Sequence, residues 1–137
     1  MPAIVWTETY ATGIPDVDSD HQKIFDLVNN VYDAHQTGGG EAEVGAVIEQ
    51  LLDYVNYHFE REESLLATVG YKDLEDHALA HGMLSDDMKA WAARFRADSS
   101  EFRMDEFIKF LVSWLQTHIL IEDMAYLKAV SQLKARV

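Results

Sequence analysis

Apolar positions recur at alternating steps of three and four in four blocks of the chain, the spacing that puts one stripe on one face of a helix. The first block opens near Ser19 or Asp20 and aligns His21, Ile24, Phe25, Val28, Val31, Tyr32 and His35. It stops at Gly38-Gly39-Gly40, which reads as a helix–helix turn. The second runs from about Glu41 to Val69, with Val44, Val47, Ile48, Leu51, Val55, His58, Glu62, Leu65 and Leu66 inward and Gly70 as a C-terminal cap. The third runs from about Tyr71 to Ala97, with Leu74, His77, His81, Leu84, Met88, Trp91 and Phe95 inward, and Asp98-Ser99-Ser100 follows as a turn rich in capping residues. The fourth runs from about Phe102 past Leu120, with Phe107, Leu111, Trp114, Leu115 and His118 inward, and the tail after Asp123 is expected to be helical in part. Pro2 and Pro15 are the only prolines and both precede His21, so no proline interrupts the blocks. Short turns between long amphipathic helices predict an all-α, antiparallel up-down-up-down four-helix bundle. It is expected to form one domain: bundle over about 19–123, residues 1–18 with Trp6, Tyr10, Gly13 and Pro15 as an ordered arm, and 124–137 as a tail.

Composition narrows the function more than the fold. A chain of 137 residues that is 48% hydrophobic can bury one core without disulfide staples. Acidic residues outnumber basic ones 24 to 11, and the resulting charge of -13 repels nucleic acid and anionic lipid. The chain has no cysteine, which excludes disulfides, zinc–thiolate sites and iron–sulfur clusters. No run of about 18 apolar residues offers a membrane span. The opening Met1-Pro2-Ala3-Ile4-Val5-Trp6 lacks the basic start and apolar run of a secretory signal, so the cytoplasm is the expected location.

The apolar stripes carry polar residues that packing alone does not ask for. Five of the six histidines and Glu62 occupy them at positions that could meet, and a carboxylate there is costly unless something compensates it. His58 and Glu62 are four apart, as are His77 and His81; at about 100° per residue each pair projects to one side of its helix. His21 and His118 add donors from the first and fourth helices. His118 and Asp123 are five apart, which on an ideal helix turns them roughly 140° from each other, so they converge only if the helix ends or distorts between them. His35 lies too far along the first helix from His21, roughly 21 Å, to join the same centre, and is expected to pack or to sit against the helix C-terminus. A lone histidine on an apolar face is ordinarily a core residue; the joint pattern over four helices points to metal. Histidine with carboxylate suits iron, zinc or manganese, and seven donors exceed one tetrahedral zinc. Two ferrous ions against Glu62, Asp123 and a bridging hydroxide leave a net charge of about +1, small enough to bury.

These residues in this order resemble the haemerythrin family in its single-domain bacterial form. The resemblance rests on Trp6, Tyr10 and Gly13-Ile14 followed by Asp18-Ser19-Asp20-His21, on His58-Phe59-Glu60-Arg61-Glu62, on His77-Ala78-Leu79-Ala80-His81, and on His118-Ile119-Leu120-Ile121-Glu122-Asp123. It implies a non-haem pair of irons. His77, His81 and His118 would fill one iron, and His21 and His58 would bind the other and leave it an open position. Glu62 and Asp123 would bridge the two together with an oxygen from solvent. It implies reversible dioxygen binding at the open position, with Phe59, Trp114, Leu115 and Ile119 walling the gas pocket, and it brings in Asp123, which helical geometry did not. Asp18, three before His21, either orients a ligand or caps the helix.

The expectation is thus a binding protein rather than an enzyme, a monomer whose ligand is dioxygen and whose candidate partner is an oxygen-consuming protein. The alternatives are a di-iron oxidase or peroxide-consuming enzyme, and an oxygen or redox sensor acting through a partner. Ferritin-like oxidases use Glu-x-x-His motifs. Here the residues three before His58, His77 and His118 are Val55, Leu74 and Leu115.

Overall fold

The structure is a computed structural model that describes residues 3–127. Four helices form the expected bundle: α1 (Pro15–Gln36), α2 (Glu41–Thr68), α3 (Leu74–Ala97) and α4 (Met104–Thr117). A π-helical segment, His118–Asp123, continues α4, and residues 124–127 return to α-helix; residues 128–137, the rest of the expected tail, lie outside the described residues. The chief helix pairings are α1 with α2, α2 with α3, and α1 with α4. Among the described residues no helix is long and apolar enough to cross a membrane.

The turns follow from two glycines. Gly38 and Gly70 take φ of +76° and +68°, the left-handed conformation glycine adopts without a Cβ penalty. After α1, the Gly39 N–H donates to the Ala34 carbonyl at 2.8 Å; after α2, the Tyr71 N–H donates to the Leu66 carbonyl at 2.9 Å. Both are the hydrogen-bond pattern that ends a helix sharply and reverses the chain.

Two details differ from the sequence expectation. Helix α1 begins at Pro15, about one turn before the predicted start, because proline is suited to the first helical position, where no N–H partner is needed. His35 is exposed rather than on the inner stripe, and lies in the last turn of α1. The arm is tied down by Asn29, whose side-chain oxygen accepts from the Ala3 and Ile4 N–H groups and whose amide donates to the Ile4 carbonyl at 2.8 Å. Trp6 and Tyr10 then pack edge-on against Phe25, ring centres 5.4 and 5.1 Å away.

Antiparallel threading decides where chemistry can occur. It gathers the start of α1, the end of α2, the start of α3 and the extension of α4 at one end of the bundle. His21, His58, Glu62, His77, His81, His118 and Asp123 all lie on those stretches.

Candidate metal centre

Two carboxylates stand at the middle of the cluster. Glu62 is 1% exposed and Asp123 0%. His77 and His81 direct Nε2 at Glu62 Oε1 from 2.6 and 3.1 Å, and His58 directs Nε2 at Glu62 Oε2 from 3.4 Å. His21 and His118 direct Nε2 at Asp123 Oδ2 from 2.9 and 3.2 Å. One donor atom each from His21, His58, Glu62, His118 and Asp123 lies within 4.8 Å of the others, and Glu62, His77 and His81 form a second such group through the shared Glu62. The resemblance put His118 with His77 and His81. Its ring in fact stands between the two groups, 5.1 Å from His81 and 5.8 Å from both His21 and His58.

The distortion that His118 and Asp123 require is present. The backbone leaves α-helical winding at His118 and follows i→i+5 winding to Asp123. The wider turn places residues four and five apart on either side of the first, whereas α-helical winding turns residues five apart well away. His118 is therefore straddled: Asp123 meets its Nε2, and Glu122 meets its Nδ1 at 3.1 Å. Such widened turns recur at functional sites, where they re-aim side chains that α-helical winding would separate.

A donor set of this kind makes sense around cations. Among the described residues, the buried Nε2 atoms of His21, His58, His81 and His118 and both Asp123 oxygens have no hydrogen-bond partner. Each orphaned buried polar atom costs on the order of 1–3 kcal/mol, so such a concentration calls for an occupant. Five imidazoles and two carboxylates in one pocket are too many for a single tetrahedral ion and fit two. The proton affinities agree. Burial pushes the Glu62 carboxyl up, but the imidazoles of His58, His77 and His81 that face it outweigh burial and hold the group well below the usual range. Burial, with the Glu62 charge beside it, pushes Asp123 well above that range. Burial holds His21 well below the ordinary histidine value, helped by the neighbouring His58 and His118. Without a cation the two carboxylates cannot both ionise comfortably; with one bound, the proton on Asp123 has to leave.

A further layer of residues escaped the sequence reading. The Nδ1 atoms of three cluster histidines face carboxylates: His58 meets Asp20 at 3.1 Å, His81 meets Glu63 at 3.2 Å, and His118 meets Glu122. Each is next in sequence to a cluster residue, Asp20 to His21, Glu63 to Glu62 and Glu122 to Asp123. That adjacency is the signal that could have found them, since the helical neighbour of an inward residue flanks the side chain arriving from the next helix. Tyr126 carried no such signal. It is buried, and its hydroxyl donates to Glu62 Oε2 at 3.2 Å. Asp18 neither orients a histidine nor caps α1: its carboxylate accepts from the Thr12 N–H and hydroxyl and the Gly13 N–H, closing the arm onto the helix.

The four expected wall residues divide. Phe59 stacks flat on His81, ring centres 3.9 Å apart, and Trp114 lies against His118 at 5.9 Å. Leu115 and Ile119 are fully buried in the core. A groove of about 390 Å³ opens between α3 and α4, lined by Met83, Leu84, Phe110, Trp114, His118 and Glu122 among others. Of the four wall residues Trp114 alone lines it.

Comparison with known proteins gives a consistent family. The model of the hemerythrin HHE cation binding domain matches residues 12–130. Bacteriohemerythrin of Pseudomonas aeruginosa is 35% identical over 130 residues, 95% of this chain and 83% of the relative. Bacteriohemerythrin of Methylococcus capsulatus is 32% identical over 127 residues, 92% and 95% of the two chains. The crystal structure of wild-type hemerythrin superposes with a TM-score of 0.84 at 32% identity, covering 93% of this chain and 98% of that one.

Proposed function

The chain belongs to the hemerythrin family, and from that premise we propose that it binds dioxygen reversibly at a non-haem di-iron centre, holding or delivering the gas. The observation that carries this reading is the convergence of five histidine Nε2 atoms on the buried Glu62 and Asp123, with most of those atoms left without hydrogen-bond partners. We assign His77, His81 and His118 as the residues that would hold one iron and His21 and His58 as those that would hold the other, with Glu62 and Asp123 available to both. Two ferrous irons, when bound, supply the electrons that dioxygen draws on binding and returns on release.

The protein's own part is to hold and to exclude. Imidazoles keep the iron pair with little anionic charge around it, which favours reversible binding over strong oxidation. The two carboxylates offset enough of the positive charge to make a buried site affordable. Phe59, Trp114, Leu115 and Ile119 give the cluster apolar flanks that keep out the water and protons which would displace bound gas. Tyr126 donates a hydrogen bond to Glu62 Oε2, the oxygen that His58 also faces, and so fixes that oxygen of the carboxylate. Metal analysis of protein made with ample iron tests the assignment. Two irons per chain are expected; one tightly held zinc, with no iron uptake after its removal, would overturn it.

A further inference from the structure

We infer that Asp20 is a positioning residue for the metal centre: it holds His58 by Nδ1, keeps Nε2 as the free lone pair, and lends that nitrogen donor strength. The inference rests on the di-iron reading above.

Consecutive residues on a helix point about 100° apart. His21 turns into the centre, and Asp20, one residue earlier on α1, turns against α2 instead. There it makes three contacts, all with α2. Its Oδ2 meets His58 Nδ1 at 3.1 Å, its Oδ1 accepts from the Tyr54 hydroxyl at 3.1 Å, and the same Oδ1 lies 3.6 Å from the Arg61 guanidinium. A carboxylate oxygen in hydrogen-bond contact with Nδ1 accepts from an N–H there, which fixes the tautomer and leaves Nε2 to a metal.

Asp20 differs from the two carboxylates that play the same part on His81 and His118. The side chains of Glu63 and Glu122 are 33% and 27% exposed, so water can take over if either is lost; that of Asp20 is 4% exposed. Without Asp20 the His58 N–H would be buried with no acceptor, and the ring would be free to turn or to change tautomer. His21, the other histidine assigned to the same iron, has no hydrogen-bond partner on Nδ1 among the described residues. That end of the centre therefore depends on Asp20 alone for an oriented imidazole.

The test uses the iron-loaded full chain and compares the parent with Asp20→Asn and Tyr54→Phe. Two quantities are read: iron retained against a graded ferrous chelator, and the reduction potential of the iron pair. Loss of such a partner typically weakens metal binding about 10- to 100-fold. Asp20→Asn is expected to lose iron that much more readily and to shift the potential upward, because a weaker donor stabilises ferric iron less. Tyr54→Phe should move both in the same direction by a smaller but measurable amount, with iron retention falling a few-fold. Parent-like retention and potential in Asp20→Asn, even with a lower melting temperature, would overturn the inference, since a merely structural residue changes stability alone. Should Asp20→Asn fail to fold, Tyr54→Phe decides, and a parent-like potential there overturns it. A parent that takes up no iron would instead overturn the proposed function, a distinguishable failure.

Discussion

Where α1 and α3 end and α2 and α4 begin, the bundle is filled by apolar layers. Val31, Val44, Ile48, Phe95, Met104 and Phe107 are buried there, and Trp91, Phe95, Phe102 and Phe107 meet edge to face or tilted. At the opposite end the same four helices bury five imidazoles and two carboxylates, and α4 gives up regular winding to do so. The helices and turns are alike at both ends; the energetics are not. The apolar end lowers its free energy simply by closing, through removal of hydrocarbon from water. The polar end is costly when closed empty, and becomes favourable only with cations between its donors. One end can therefore serve as scaffold while the other is free to be a reactive site.

The contrast predicts opposite responses to mutation. Glu62→Ala removes one of two central anions and is expected to abolish dioxygen binding and release at least one iron per chain, read by metal analysis and visible absorption. Ile48→Ala, in the apolar end, should cost about 2–5 kcal/mol in denaturant unfolding while both irons stay bound. If the Ile48 change empties the site as fully as the Glu62 change does, the two ends are not independent.

Acid should strip the metal end first. Metal needs neutral imidazoles and ionised carboxylates, so each proton gained there is metal lost. Burial lowers the proton affinity of His58, but the hydrogen bond to Asp20 and the facing Glu62 carboxylate outweigh it and raise His58 above the ordinary histidine value of 6.5. Its raised value means the competing proton is held from above 6.5 downward, so iron affinity is greatest on the alkaline side and falls as pH drops through the histidine range. Equilibrium dialysis across that range should show iron loss while far-ultraviolet circular dichroism still reports helix. Full occupancy after equilibration near about pH 3, below the usual carboxylate values, would contradict it.

A smaller effect is expected from Leu115→Asn, a buried residue one turn before Ile119 on the helix that carries His118. The variant should load two irons and bind dioxygen at first, then lose the adduct absorption in air-saturated buffer several-fold faster than the parent, because a polar side chain there can hold water. Equal decay rates at equal iron content would make Leu115 plain packing. The smallest effect belongs to His35→Ala. His35 is exposed at the end remote from the centre, so iron content should not change, and stability should shift by no more than the helix-end value of about 0.3–1 kcal/mol.

The two ends were also unequally legible in the sequence. Apolar periodicity is a direct record of what each helix buries, so helix number, topology and most core positions could be read from it, as could the stripe that holds His58 and Glu62. Helix starts were less legible: the stripe of α1 is informative only once the helix meets its neighbours, and the first turn from Pro15 carries little of it. His35 fits the stripe by number yet lies on the exposed side, since a stripe read in steps of three and four drifts around the helix over a long run. Asp123 was beyond periodicity altogether, because its approach to His118 depends on a π-helical turn that assumed α-helical angles cannot express; only the family resemblance brought it in. Asp20, Glu63 and Glu122 are three acids among the 24 of the chain, and only assembled neighbours reveal that they meet buried rings.

The central claim is that the polar end holds an iron pair which takes up dioxygen and gives it back. The most direct measurement is the visible spectrum of the iron-loaded, reduced protein through repeated cycles of air and deoxygenation, without added reductant. The account predicts an absorption band that appears with dioxygen, disappears when the gas is removed, and returns with nearly full amplitude over several cycles. A band that forms once and cannot be reversed, or one that returns only when fresh reductant is supplied, would contradict it and identify the centre as an oxidase instead.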